Sequence, residues 1–132
     1  MCTAVYVATS LPVETTKWNK EAPAFYVKEL EGYDELRRRF APRSVYYAGS
    51  HEGCGCGFVF YDGDPERRRA LDALIAFIRR VAPADVFVCW EGQQTEAPAW
   101  EKVVTSGDLG TGDLWAKAFE TTDTAPCVIR VR

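Results

Sequence analysis

Between Asp64 and Pro83 the chain carries the punctuation of one amphipathic helix. The Asp64 carboxylate can cap the first turn, Pro65 sits where a missing N–H costs nothing, and Pro83 closes the end. Leu71, Leu74, Ile75, Ile78 and Val81 recur at three- and four-residue steps, so one face is apolar and needs a partner. The pattern predicts a helix over 64–82. Its partner is a sheet, because strand signals lie on either side. Residues 4–8 (Ala4-Val5-Tyr6-Val7-Ala8) form the uninterrupted apolar run of a strand buried on both faces, and Asp85 to Trp90 is a second buried strand.

The other segments are shorter. Phe25 to Leu30 reads as a strand ended by Gly32, and Asp34 to Phe40 as two helical turns that stop before Pro42. Ser44–Ala48 and Phe58–Tyr61 are aromatic strands, while residues 11–23, with Pro12 and Pro23, are an irregular connection. Ala99–Thr105 and Leu114–Thr121 read as a hairpin around residues 107–113. Cys127 to Arg132 alternates, with Cys127, Ile129 and Val131 inward and both arginines outward. Phe58–Tyr61, the helix and Val86–Trp90 together read as a crossover joining two parallel strands. The expected fold is α+β: a mixed β-sheet with one long helix (64–82) packed on one face, a two-layer sandwich. A partly closed, barrel-like sheet is the alternative. A chain of 132 residues suits a single domain, 1–132.

Composition excludes several classes. Hydrophobic residues at 47% and charged residues at 27% are ordinary globular usage, which argues against wholesale disorder. No apolar run approaches the roughly 18 residues that span a bilayer, and the first residues lack the basic stretch and apolar core of a secretory signal. Five cysteines without an export signal suggest free thiols in a reducing, cytoplasmic setting. The net charge of −3 argues against nucleic acid as a partner. The triplets Arg37-Arg38-Arg39 and Arg67-Arg68-Arg69 follow acids in helical segments, where they read as solvated ion-paired faces rather than a phosphate patch. Four tryptophans without a basic groove belong to the core or to an interface.

Chemistry concentrates in one loop. Gly49-Ser50-His51-Glu52-Gly53-Cys54-Gly55-Cys56-Gly57 places four glycines and two thiols beside the only histidine. Repeated positive φ at the glycines would turn several N–H groups toward one point, an anion-binding nest. Neither the phosphate-loop nor the dinucleotide pattern is met. Zinc would use His51, Cys54 and Cys56, but the Cys-Gly-Cys spacing is tight and a fourth ligand is missing. Cys89 is the tempting fourth, yet in a parallel crossover it would lie about 15 Å away, at 3.3 Å per residue. The two loop thiols could instead form a strained, easily reduced disulfide, with His51 lowering a thiol pKa. Against all of these stands a plain glycine turn with two small packed residues. An N-terminal nucleophile at Cys2 would need a larger double-sheet fold, no Gly-x-Ser-x-Gly elbow supports a serine triad, and Asp108 with Asp113 lacks the order of a calcium loop.

Three blocks, Met1-Cys2-Thr3, Gly53-Cys54-Gly55-Cys56-Gly57-Phe58 and Cys89-Trp90-Glu91-Gly92, resemble a group of small uncharacterised bacterial proteins with no assigned activity. The resemblance implies a cytoplasmic bacterial protein and supplies no catalytic residue. The Arg-rich basic set is compatible with a high-GC bacterial genome. With one histidine, no complete catalytic set and no cofactor motif, the chain reads first as a non-enzymatic binding module. Its acidic balance suits docking on a basic protein partner, as toxin-neutralising proteins do. Residues 49–57 are the candidate site, with His51, Gly53, Cys54, Gly55, Cys56 and Gly57 as contacts and Trp90, Glu91 and Gly92 as a second region. The alternative is a thiol-redox or zinc-binding protein using His51, Cys54 and Cys56.

Overall fold

Strand β1 (Thr3–Thr9) is buried at every position and lies at the middle of the molecule, as its unbroken apolar run requires. The computed structural model describes residues 2–16, 25–59, 64–110, 112–121 and 125–132. After β1 come β2 (Phe25–Glu29), α1 (Asp34–Phe40), β3 (Ser44–Ser50), a 3-10 turn (Gly55–Phe58), α2 (Pro65–Val81) and β4 (Ala84–Trp90). Then follow β5 (Trp100–Val104), a second 3-10 turn (Ser106–Gly110), α3 (Gly112–Thr121) and β6 (Cys127–Val131). The six strands among the described residues form one mixed sheet in the order β2-β3-β1-β4-β6-β5. All neighbours are antiparallel except β5 and β6.

The long helix forms where its punctuation predicts. The Asp64 carboxylate accepts from the N–H groups of Glu66 and Arg67, and Pro65 opens the first turn. Leu71, Leu74, Ile75, Ile78 and Val81 are all buried. Two pairs form at the predicted spacing, Arg37 with Asp34 at 2.8 Å and Arg67 with Asp64 at 3.2 Å; Arg68 pairs instead with the later Asp72 at 3.4 Å, and Arg39 stacks 5.2 Å from the Phe87 ring centroid.

Three expectations fail. First, the architecture is α+β with a mixed sheet, but three helices cover both faces rather than one helix covering one face of a two-layer sandwich. Val5 and Val7 join the cluster holding α2 and α3, whereas Ala4, Tyr6 and Ala8 join a second cluster closed by Leu36 and Phe40 of α1. A central strand apolar at consecutive positions demands cover on both sides, and α1 supplies the second cover despite its two-turn length. Second, Phe58 belongs to a 3-10 turn, not to a strand, and its fully buried ring packs on Phe25 with centroids 6.1 Å apart. Residues 60 and 61 lie outside the described residues. The neighbours of β4 are β1 and β6, both antiparallel, so α2 does not join adjacent parallel strands. β3 runs in the same direction as β4, with β1 between them.

Third, residues 112–121 form α3 rather than the second arm of a hairpin. Leu114 with Ala118 and Trp115 with Phe119 stand four apart and all four are buried, while the Trp115 indole N–H donates to the Leu109 carbonyl at 2.9 Å. The adjacent parallel crossover of this fold is therefore β5-α3-β6. In β6, Cys127, Ile129 and Val131 face the α2 side as expected, and Val128 is buried on the opposite face.

Candidate metal centre

β3 ends at Ser50, and the chain reverses over it. The Ser50 N–H donates to the Cys54 carbonyl at 2.9 Å, the Gly53 N–H to the Ser50 carbonyl at 3.0 Å, and the Ser50 hydroxyl to the Cys54 carbonyl at 2.5 Å. The same hydroxyl accepts the N–H groups of Glu52 at 3.2 Å and Gly57 at 3.1 Å. The N–H groups of Glu52, Gly53 and Gly57 thus converge on Ser50 and not on a ligand. Gly53 alone in this loop takes a positive φ, 82°. The nest that repeated positive φ would create is not formed. Gly55 is needed for a different reason: a Cβ there would stand 2.7 Å from the Thr3 carbonyl oxygen, which brings the loop backbone against the start of β1.

That approach assembles the cluster. The sulfurs of Cys2, Cys54 and Cys56 all lie within 4.8 Å of one another. Three sulfurs bound to one zinc at 2.3 Å in tetrahedral geometry would be about 3.8 Å apart, so small side-chain rotations close the site. Cys2 is exposed and the two loop cysteines half-buried, and none of the five cysteines is in a disulfide. The Thr3 N–H donates to the Cys56 sulfur at 3.2 Å. The Arg67 guanidinium donates to the Cys56 carbonyl at 2.7 Å and fixes that residue from the helix side. Burial pushes the Cys54 thiol up to about 12, and hydrogen bonding to the Cys56 and Cys2 thiols adds to it, while the Cys56 backbone opposes.

His51 is not a member. Its ring lies against Gly57, its Nε2 stands 3.5 Å from a Glu66 carboxylate oxygen, and its Nδ1 is buried without a hydrogen-bond partner among the described residues. The structure groups Cys54 and Cys56 with Cys2, where the sequence reading grouped them with His51. The loop's reversal aims the imidazole toward α2 and the thiols toward β1.

Trp90 and Glu91 are neighbours of this cluster. Thr3 pairs with Trp90 across the sheet, and the Glu91 N–H donates to the Cys2 carbonyl at 2.8 Å. The end of β3, the start of β1 and the end of β4 share one edge of the molecule because β1 is antiparallel to both. The separation of about 15 Å assigned to Cys89 rested on the loop leading into a strand at Phe58; the loop instead follows β3, which ends at the same end of the sheet as β4. Cys89 pairs with Ala4 at the same end, but it is buried in the second cluster and is not part of the three-sulfur group. Cys2 is the member of the sulfur group that sequence reasoning does not place beside the loop. Its local sign is a thiol one residue before the apolar run of β1, and the pairing that brings it to Cys54 and Cys56 is not legible there. Comparison with protein-family models, with curated proteins and with solved structures finds no match.

Proposed function

We propose that the chain is a metal-binding protein that holds one zinc ion through the thiolates of Cys2, Cys54 and Cys56, with the fourth position open. The observation that carries this is the convergence of three sulfurs from two segments about fifty residues apart. Soft sulfur donors select thiophilic cations over calcium or magnesium, and zinc is the ordinary occupant of such a site. Three protein ligands are one short of a closed structural centre, so the fourth position takes water, a small ligand or a donor from another molecule. An acidic docking surface has no comparably localised feature among the described residues.

The test is zinc titration with an indicator dye, using chelator-stripped and fully reduced protein. We expect one equivalent to bind tightly, and Cys2→Ser, Cys54→Ser and Cys56→Ser each to weaken it about a hundredfold or more. Cys127→Ser, at a buried sulfur away from the cluster, and His51→Ala should leave affinity within about threefold. Retention of tight binding in Cys2→Ser with loss in His51→Ala would restore the histidine set and overturn the proposal.

A further inference from the structure

On the α1 side of the sheet, four tyrosines wall a hollow of about 240 Å³: Tyr6 of β1, Tyr26 of β2, Tyr47 of β3, and Tyr33 at the entry to α1. Their rings meet at steep angles. Tyr6 and Tyr47 are edge to face with centroids 5.5 Å apart, and Tyr6 and Tyr33 likewise at 6.5 Å. Sites that hold alkylated ammonium groups are built from mutually inclined rings whose electron-rich faces meet the cation.

Tyr33 is held there under strain. It has φ 49° and ψ 53°, the left-handed region that a bulky residue rarely takes, and it caps α1 without a side-chain hydrogen bond. Strain of this kind persists where the surroundings enforce it, and it concentrates at ligand clamps. Here the result is a ring 43% exposed, set over the buried Tyr6. The hollow also contains a resident cation. The Lys28 ammonium, on an exposed position of β2, sits 5.1 Å from the Tyr47 ring centroid. Glu31 and Glu91 line the same space, so the wall carries one more negative charge than positive. The Glu91 carboxylate is fixed by the buried Gln94 amide, which donates to it at 2.7 Å and to the Tyr6 hydroxyl at 3.2 Å. Burial holds the phenols of Tyr6, Tyr26 and Tyr47 above their usual range, and the Glu91 charge pushes each further in that direction.

We propose that this hollow binds a small organic cation, an alkylated ammonium group, which displaces the Lys28 ammonium from the Tyr47 face and is held by the tyrosine rings and Glu91. The site uses no cysteine side chain, though it borders the sulfur group: Gly53 lines the hollow and the Glu91 N–H donates to the Cys2 carbonyl. Lys28 closes the hollow when no ligand is present, and Tyr33 forms its outer wall.

Choline and its neutral carbon isostere, 3,3-dimethylbutan-1-ol, are the probes, followed by amide and aromatic NMR shifts at constant ionic strength. Saturable shifts centred on Tyr6, Tyr33 and Tyr47, with the alcohol at least about fivefold weaker, are expected. Lys28→Gln, at an exposed position, removes the internal competitor and should tighten choline about two- to fivefold, while Tyr33→Ala should weaken it by a similar factor. Equal binding of the two probes, or no saturable shift at these residues, overturns the proposal. So does weaker choline binding in Lys28→Gln, because that would make the lysine a ligand-holding group rather than a competitor.

Discussion

At Cys54, burial and the sulfurs of Cys56 and Cys2 keep the proton on, with the pKa pushed up to about 12. In the metal-free protein this thiol is a poor nucleophile at neutral pH although its loop reaches the surface. Cys89 is pushed up to about 12 as well, chiefly by burial and then by Glu91. Mass-mapped labelling with iodoacetamide near pH 7.5 should therefore modify Cys2 first, Cys54 slowly, and Cys89 and Cys127 only on unfolding. The Cys54 rate should climb as pH rises toward 12, because only the thiolate reacts. Zinc should protect Cys2 and Cys54 together. The sign of the pH effect on zinc follows from the same proton. Binding requires its release, so affinity falls as pH falls, by at least about tenfold per unit between pH 6 and 9 from Cys54 alone. Rapid labelling of Cys54 in the folded, metal-free protein would contradict this account of its environment.

Among the elements, α2 was legible nearly to the residue because cap, proline and apolar period agree over seventeen positions. Leu74 and Ile78 are fully buried in the cluster between α2 and the sheet. Leu74→Ala and Ile78→Ala should each cost about 2–5 kcal/mol in urea melts, and a loss under about 0.5 kcal/mol would place that face in water. α3 was legible in principle but misread. Leu114, Trp115, Ala118 and Phe119 carry a four-residue period, but so short an apolar aromatic segment fits a strand as well. Phe58 misled for a related reason: one buried aromatic beside Val59 cannot distinguish a strand from a turn that plugs the core. α1 was placed correctly and its consequence overlooked. Leu36 and Phe40, one turn apart, close the second face of the sheet.

For the whole molecule, strand order is where the sequence was silent, because pairing across dozens of residues leaves no local trace. Reading the loop as the start of a strand beside β4 separates Cys89 from it, and no local pattern sets Cys2 next to Cys54 and Cys56. With the observed order, the three short blocks at Cys2-Thr3, Gly53–Phe58 and Cys89–Gly92 meet at one end of the sheet. Gly55, whose Cβ would collide with the Thr3 carbonyl, is the residue that lets the loop reach β1. The central claim is that this meeting point holds one cation through three sulfurs. X-ray absorption at the zinc edge, on protein loaded with one equivalent, counts those ligands directly. The account predicts three sulfurs at about 2.3 Å and one nitrogen or oxygen donor near 2.0 Å that is not an imidazole. Two or fewer sulfurs, or the outer-shell scattering of a bound histidine ring, would contradict it.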